Sequence, residues 1–207
     1  MTWTPGLALA IVLIGSAAVA QAPVAEADVD GRPVTLFADG TWSFDIDIAP
    51  GTCREIAVPI SFCADDGRWQ LLPIAGAAAI DAQFRLDDRT YAAVIVESVG
   101  GIDGVSIDSV ERTARQALAG RGRVEIEDVP VLHRYDDRIG QTDLRTIVYA
   151  GRIDGVPHVF ANSILVQDRM TAQLVTYAVE ASYSDAHRAA HADFLARLRI
   201  DGAEAVE

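Results

Sequence analysis

The spacing of hydrophobic positions changes character along the second half of the chain, and those changes mark out its elements. Residues 143–150, 156–166 and 171–183 are rich in Val, Ile, Thr and Tyr. Short gaps separate them, one at 152–155 holding Asp154-Gly155 and one at 167–170. Such runs broken by turn residues predict an antiparallel meander. In the last run Val175, Tyr177, Val179 and Tyr183 share one parity while Thr176, Glu180 and Ser182 take the other, predicting one buried face and one wet face. From 185 to 200 the period becomes helical, with Phe194, Leu195 and Leu198 on one side, so a helix is expected to cover the apolar face of the sheet.

Upstream, Ser106 is a plausible N-cap with Asp108 at the positive end of the helix it would start. Ile107, Val110, Ala114 and Leu118 recur at helical spacing until Gly120 stops the pattern. Strands are expected at 68–72, 80–86, 89–97 and 124–133, and 91–96 is apolar on both parities, as a central strand covered on both faces would be. The fold class read from these elements is α+β: an antiparallel β-sheet meander covered by two helices, with an N-terminal β-hairpin.

That hairpin is expected within 30–46, where alternating runs flank Asp39-Gly40 in the stretch Asp30-Gly31-Arg32-Pro33-Val34-Thr35-Leu36-Phe37-Ala38-Asp39-Gly40-Thr41-Trp42. It resembles a hairpin that recurs near the N-termini of many secreted bacterial proteins, which implies export more than activity. Trp42 and Phe44 either pack within the hairpin or form an aromatic binding surface. Before it, residues 7–20 are an apolar run ending Ala18-Val19-Ala20, small residues of the kind signal peptidase reads. A cleaved signal peptide over 1–20 is expected, although 1–6 lack Lys and Arg; an uncleaved anchor is the alternative, for which the run is short against the roughly 20 residues of a span. Residues 21–50 would then be a flexible start (21–27) followed by the hairpin, and 51–207 one α+β domain.

Composition narrows the chemistry. A formal net charge of -13 argues against a nucleic-acid partner and against adhesion to anionic lipid. All 17 basic residues are Arg, so Schiff-base chemistry, a P-loop lysine and a Ser-Lys pair are excluded. Cys53 and Cys63 are the only cysteines, and in an oxidising compartment a disulfide is their simplest fate. A straight strand through Ile56, Val58, Ile60 and Phe62 would hold them roughly 30 Å apart, against the ~6 Å a bond tolerates, so a bond requires the chain to turn between them, near Pro59. Metal binding by the pair is the weaker alternative.

No catalytic motif is complete. Gly104-Val105-Ser106-Ile107-Asp108 has Asp where a nucleophile elbow needs Gly, and Ser106 reads better as a cap. His187 and His191 have the spacing of a zinc protease helix but lack its glutamate. Both fall on the side of Phe194 and Leu198, where they either pack with their ring nitrogens hydrogen-bonded or form a metal site completed by His158 or an Asp. The pairs Asp65-Asp66, Asp87-Asp88 and Asp136-Asp137 are expected in solvated turns, with a loosely held calcium as the alternative.

The order of elements from about Ala82 to Asp201 resembles the PsbP/Mog1-like α/β proteins: a strand ending Val94-Ile95-Val96-Glu97, a helix, a long meander, and a closing helix ending Phe194-Leu195-Ala196-Arg197-Leu198. The resemblance implies a small non-catalytic binding or assembly protein and carries no site residues or cofactor with it. The hairpin and the cysteine pair lie outside it and are expected as an additional small lobe. Two functions follow. One is an exported, periplasmic or secreted binding or envelope-assembly protein, whose partner is another envelope protein or a small ligand. The other is an enzyme or metal-binding protein using His187 and His191. A deep polar pocket would favour the second and a shallow apolar patch the first.

Overall fold

The computed structural model describes residues 23–29, 32–37, 42–44, 48, 51–64, 67–72 and 80–200. The expected signal peptide at 1–20, the pair Asp65-Asp66 and the tail 201–207 lie outside them. Three sheets are present among the described residues: β1-β2-β3, a seven-stranded sheet, and a third of three strands.

The first sheet is larger than the hairpin read from the pattern. β1 (Pro23–Val29) pairs antiparallel with β2 (Arg32–Phe37), and β2 with β3 (Trp42–Phe44). Residues 23–27, expected to be flexible, are therefore paired strand. The β2–β3 hairpin is present, with Leu36 opposite Trp42 and Val34 opposite Phe44. The side chains of Trp42 and Phe44 lie outside what is described.

The seven-stranded sheet is the body of the protein. It comprises β6 (Gln70–Leu72), β7 (Ala82–Arg85), β8 (Thr90–Glu97), β9 (Val131–Ile139), β10 (Thr142–Ile153), β11 (Val156–Val166) and β12 (Thr171–Ala178). Their spatial order is β6-β7-β8-β12-β11-β10-β9, so the meander from β9 to β12 closes back onto β8. Asp154 and Gly155 both adopt positive φ at the β10–β11 turn (50° and 79°), the conformation that lets a tight hairpin follow the strand twist.

One helix lies on each face. α1 (Ile107–Gly122) starts at Ser106, whose hydroxyl accepts from the Ser109 amide, and buries Val110, Ala114 and Leu118. It runs past Gly120 and ends at Arg123, which takes the left-handed cap itself. Leu118 lies against Gly151 of β10, where an added Cβ would come within 2.7 Å of it. α2 (Asp185–Ala196), capped by Ser184, covers the other face. Two expectations fail here. Residues 198–200 are not the end of α2 but a strand, β13 (Leu198–Ile200). The segment at 124–133 is a 3-10 turn, Ile126–Asp128, before β9 begins at Val131.

β13 also corrects the idea of a separate lobe for the cysteines. β4 (Thr52–Ala57) and β5 (Ile60–Ala64) form a hairpin turning at Val58-Pro59, and β13 pairs with β5, Leu198 opposite Phe62. Phe62 stacks on Phe84 of β7 with ring centroids 4.4 Å apart, and Phe194 of α2 lies 5.5 Å from Phe84 and 5.1 Å from Trp69. Burying an aromatic side chain in such a core is worth about 3–5 kcal/mol against alanine. The hairpin is thus part of the α2-side core. The turn places Cys53 opposite Cys63 and the two are disulfide-bonded; closing a loop of this length contributes on the order of 2–3 kcal/mol.

At the far end of the sheet, Gly100 is wedged against the β11–β12 turn. An added Cβ would sit 2.1 Å from the Gln167 carbonyl oxygen and 2.6 Å from the Met170 nitrogen. The same turn accepts the Gly101 and Ile102 amides. Gly100→Ala is therefore expected to destabilise the protein by roughly 1–3 kcal/mol, the usual cost of forcing packed backbone apart. Urea unfolding with an unchanged midpoint would refute this.

Candidate functional site

Thr176 is the residue on which the site reading turns. The pattern places it on a wet face, but both faces of β12 are covered and Thr176 is fully buried beneath α2. It belongs to a row of polar residues with one member from each of four adjacent strands: Thr176 on β12, Ser163 on β11, Thr146 on β10 and Asp137 on β9. Thr146 and Ser163 are directly opposite each other. Both are fully buried.

α2 lowers its two histidines onto this row. They are four residues apart, hence one above the other on the inner face. His191 Nε2 lies 2.8 Å from the Ser163 hydroxyl and its Nδ1 2.9 Å from the Thr176 hydroxyl. His187 Nε2 lies 3.0 Å from the same Thr176 hydroxyl, and its Nδ1 2.9 Å from Glu180 Oε1. The row continues from Ser163 to Thr146 at 2.6 Å and from Thr146 to Asp137 Oδ2 at 3.1 Å. Tyr183 meets the His187 ring edge-on at 5.2 Å, donates to or accepts from Tyr135 at 2.9 Å, and carries Arg188 over its face.

The electrostatics follow from burial. Desolvation pushes His191 down to about 3, helped by the neighbouring His187. It also lowers His187, against the opposing pull of the Glu180 hydrogen bond and charge. Both rings are therefore neutral near pH 7, and all four of their nitrogens face protein partners. A metal would have to displace those partners. His158 cannot join them: its ring lies 6.3 Å from Phe160, on the opposite, α1-facing side of the sheet, with Nδ1 next to the Val156 carbonyl at 3.0 Å. Among the described residues no cluster of three His, Cys, Asp or Glu could hold a metal ion.

Above Glu180 and His187 opens a cleft of about 650 Å³ between α2 and the β7–β8 turn. Asp87 and Asp88 lie at its rim with Arg89. Asp87 Oδ1 accepts from the Arg89 and Thr90 amides at 2.8 Å, so it shapes the turn as expected of a turn aspartate. The Arg89 guanidinium donates to the Val179 carbonyl. Across the cleft Asp193 accepts from the Trp69 indole at 2.9 Å and from Arg197 at 3.0 Å. Burial works to raise Asp193, but these hydrogen bonds and the Arg197 and Arg68 charges hold it below the usual carboxylate range. Asp136 and Asp137 do not sit in a turn: both are on β9, Asp136 bonded to Arg145 at 2.6 Å and Asp137 in the polar row.

No protein-family model and no curated protein matches this chain. Among solved structures, the solution structure of cyanobacterial PsbP (CyanoP) from Synechocystis superposes with a TM-score of 0.51 at 10% identity, covering 74% of this chain and 95% of that one. The fold is PsbP-like. A crystal structure from Bacteroides thetaiotaomicron is also similar, with a TM-score of 0.45 at 11% identity over 76% of this chain and 48% of that one. The element order expected from the PsbP resemblance, strand, helix, meander and closing helix, is the observed order. At this identity the PsbP-like fold transfers no residue roles. Among the described residues no helix is long and apolar enough to cross a membrane.

Because both histidines are driven toward the neutral form, the unfolded chain binds protons that the folded chain refuses. The His191 contribution to stability is complete above about pH 6.5 and is lost as the pH falls from there toward about 3, and that of His187 is lost in the same direction. The expected slope is on the order of 1.4 kcal/mol per pH unit for the His191 proton. Urea unfolding between pH 6.5 and 4.5 should show it, and His191→Gln should flatten the profile. Equal slopes in the two proteins would contradict the assignment.

Proposed function

We propose that this chain is an exported, non-catalytic binding or envelope-assembly protein of the periplasm or extracellular space. The non-catalytic part rests on one observation: the ring nitrogens of His187 and His191 all face protein partners within hydrogen-bond distance, in the row beneath α2. A general base needs a lone pair aimed at its substrate, and a metal ligand needs one aimed at the ion. Export is supported by the disulfide and by the apolar run at 7–20 that ends in small residues.

The partner is another envelope protein or a small ligand, and no cofactor is required. Two surfaces are available to it. One is the cleft over Glu180, where charged side chains such as Asp87, Asp88, Arg89 and Asp193 alternate with small apolar ones. The other is the β2–β3 hairpin, where Trp42 and Phe44 share a strand parity.

The enzyme or metal-binding reading retains one supporting observation, that His187 borders the cleft. Zinc titration calorimetry on the mature protein separates the two: heat of binding lost in His187→Gln would favour the metal reading.

The direct test is an affinity pull-down from envelope extract with the mature, oxidised protein, run beside Trp42→Ala/Phe44→Ala and Asp88→Arg controls. A partner retained by the wild type and lost in one control is the expected result, and identifies the surface. If neither wild-type capture nor a metabolite screen yields a partner, the binding reading fails.

A further inference from the structure

β9 ends the seven-stranded sheet, and its nine residues make a long edge, about 30 Å of strand. At the opposite end of the sheet β6 has only three residues. Among the described residues no strand pairs with the outer side of β9, and its ladder runs to β10 alone. The loop between β9 and β10 is Gly140-Gln141, with Ile139 opposite Thr142. A two-residue hairpin closes on a hydrogen-bonded pair, and the bonding then alternates along the ladder. Ile139, Asp137 and Tyr135 therefore bond to β10, while the N–H and C=O groups of Arg138, Asp136 and Arg134 point outward.

These outward-pointing residues carry charge. Arg134 reaches Glu111 of α1 at 2.6 Å, which places it and its parity on the α1 face, where Asp136 meets Arg145 of β10 at 2.6 Å. The alternate residues face α2: Tyr135 contacts the Tyr183 hydroxyl, and Asp137 belongs to the polar row. Charged side chains on a sheet edge usually keep strands apart. Here their order makes the edge complementary to itself. Counting away from Tyr135 in both directions, Arg134 answers Asp136 and His133 answers Asp137.

We propose that β9 joins two copies of this chain, with their β9 strands antiparallel about a two-fold axis at Tyr135. Each Arg134 then lies opposite Asp136 of the second copy, and each His133 opposite Asp137 of the second copy. The N–H and C=O groups that exchange are the outward ones of Arg134 and Asp136. Residues opposite each other in a sheet share a face, so the axis passes through a residue and not between two. Moving it to Arg134 sets that arginine against itself. Moving it to Asp136 sets that aspartate against itself and Arg134 against Arg138. Like charges directly opposite are destabilising, so the axis at Tyr135 is selected.

The joined row on the α1 face alternates in sign: Glu111 and Arg134 of one copy, then Asp136 and Arg145 of the other. The contact uses the same patch on both copies and closes at two, because pairing consumes the long edge of each sheet. It uses none of the residues lining the cleft, so a second copy is a partner additional to the envelope protein or ligand proposed above.

The test begins with sedimentation equilibrium of the full, oxidised protein, which should show monomer and dimer in exchange. As the dimer fills, amide hydrogen exchange at Arg134 and Asp136 should slow roughly tenfold or more, while that of Tyr135, already bonded to β10, changes less. Arg134→Asp and Asp136→Arg each set like charges opposite each other, and each should be monomeric. Mixed together they should form a one-to-one heterodimer, since one strand then carries only carboxylates at these positions and the other only guanidinium groups. A wild type that stays monomeric at millimolar concentration overturns the proposal, and so does a dimer with unchanged exchange at Arg134 and Asp136; neither result requires a variant to fold. Folded single variants that dimerise like the wild type, or that ignore each other when mixed, overturn it as well.

Discussion

A row of polar side chains crosses a buried face of the central sheet, and α2 can close over that face only if every member of the row is satisfied. An unpartnered hydroxyl or imidazole in such a place would cost about 1–3 kcal/mol. The solution is reciprocal. Thr146, Ser163 and Thr176 would be left without partners if the helix carried apolar residues at 187 and 191, and the two histidines would be costly on any apolar sheet. Around this polar strip lies an apolar ring, Phe62, Phe84, Trp69 and Phe194 on one side and Val148, Val159 and Ala161 on the other. The aromatic side supplies most of the driving force. The polar strip supplies register, because a helix displaced by one turn would separate both rings from their hydroxyls.

The same arrangement engages the ring nitrogens of the histidine pair with protein partners and shows why β5 and β13 matter. α2 is held at its C-terminal end by Asp193, which takes hydrogen bonds from Trp69 and Arg197, and by the turn into β13, whose pairing with β5 ties the helix to the disulfide hairpin. At its N-terminal end it is held by Ser184 and by the Tyr183–Tyr135 contact to β9. A helix fixed at both ends presents its inner side chains at fixed depth, which leaves the half-buried carboxylates at the two ends of the row, Glu180 and Asp137, as the places where it approaches solvent.

Much of this was legible in the pattern of residues. Helix periodicity located α1, with its Ser106 cap, and the start of α2, and the Asp154-Gly155 turn located the β10–β11 hairpin. What was not legible has specific physical causes. Thr176 was assigned to a wet face because parity reasoning treats a polar residue as exposed, whereas here its partners come from a helix 11 and 15 residues further on. Thr146 and Ser163 escape the same parity reasoning; hydroxyl residues in three neighbouring strands, facing two histidines at helical spacing, are the available signal. Leu198–Ile200 continues an apolar pattern that a helix or a strand can use, and its partner β5 lies more than a hundred residues earlier. Local periodicity does not carry that information.

The central claim, that α2 and the sheet are joined by one mutually dependent polar row, is tested most directly by a double-mutant cycle between His191→Leu and Thr176→Val, read by urea unfolding at pH 7. Each single variant strands a buried partner, so each should lose about 1–3 kcal/mol. The double variant removes both sides of the contact and should lose clearly less than the two losses together, by on the order of 1 kcal/mol or more. Losses that simply add would mean the two residues are buried independently, and would contradict the account.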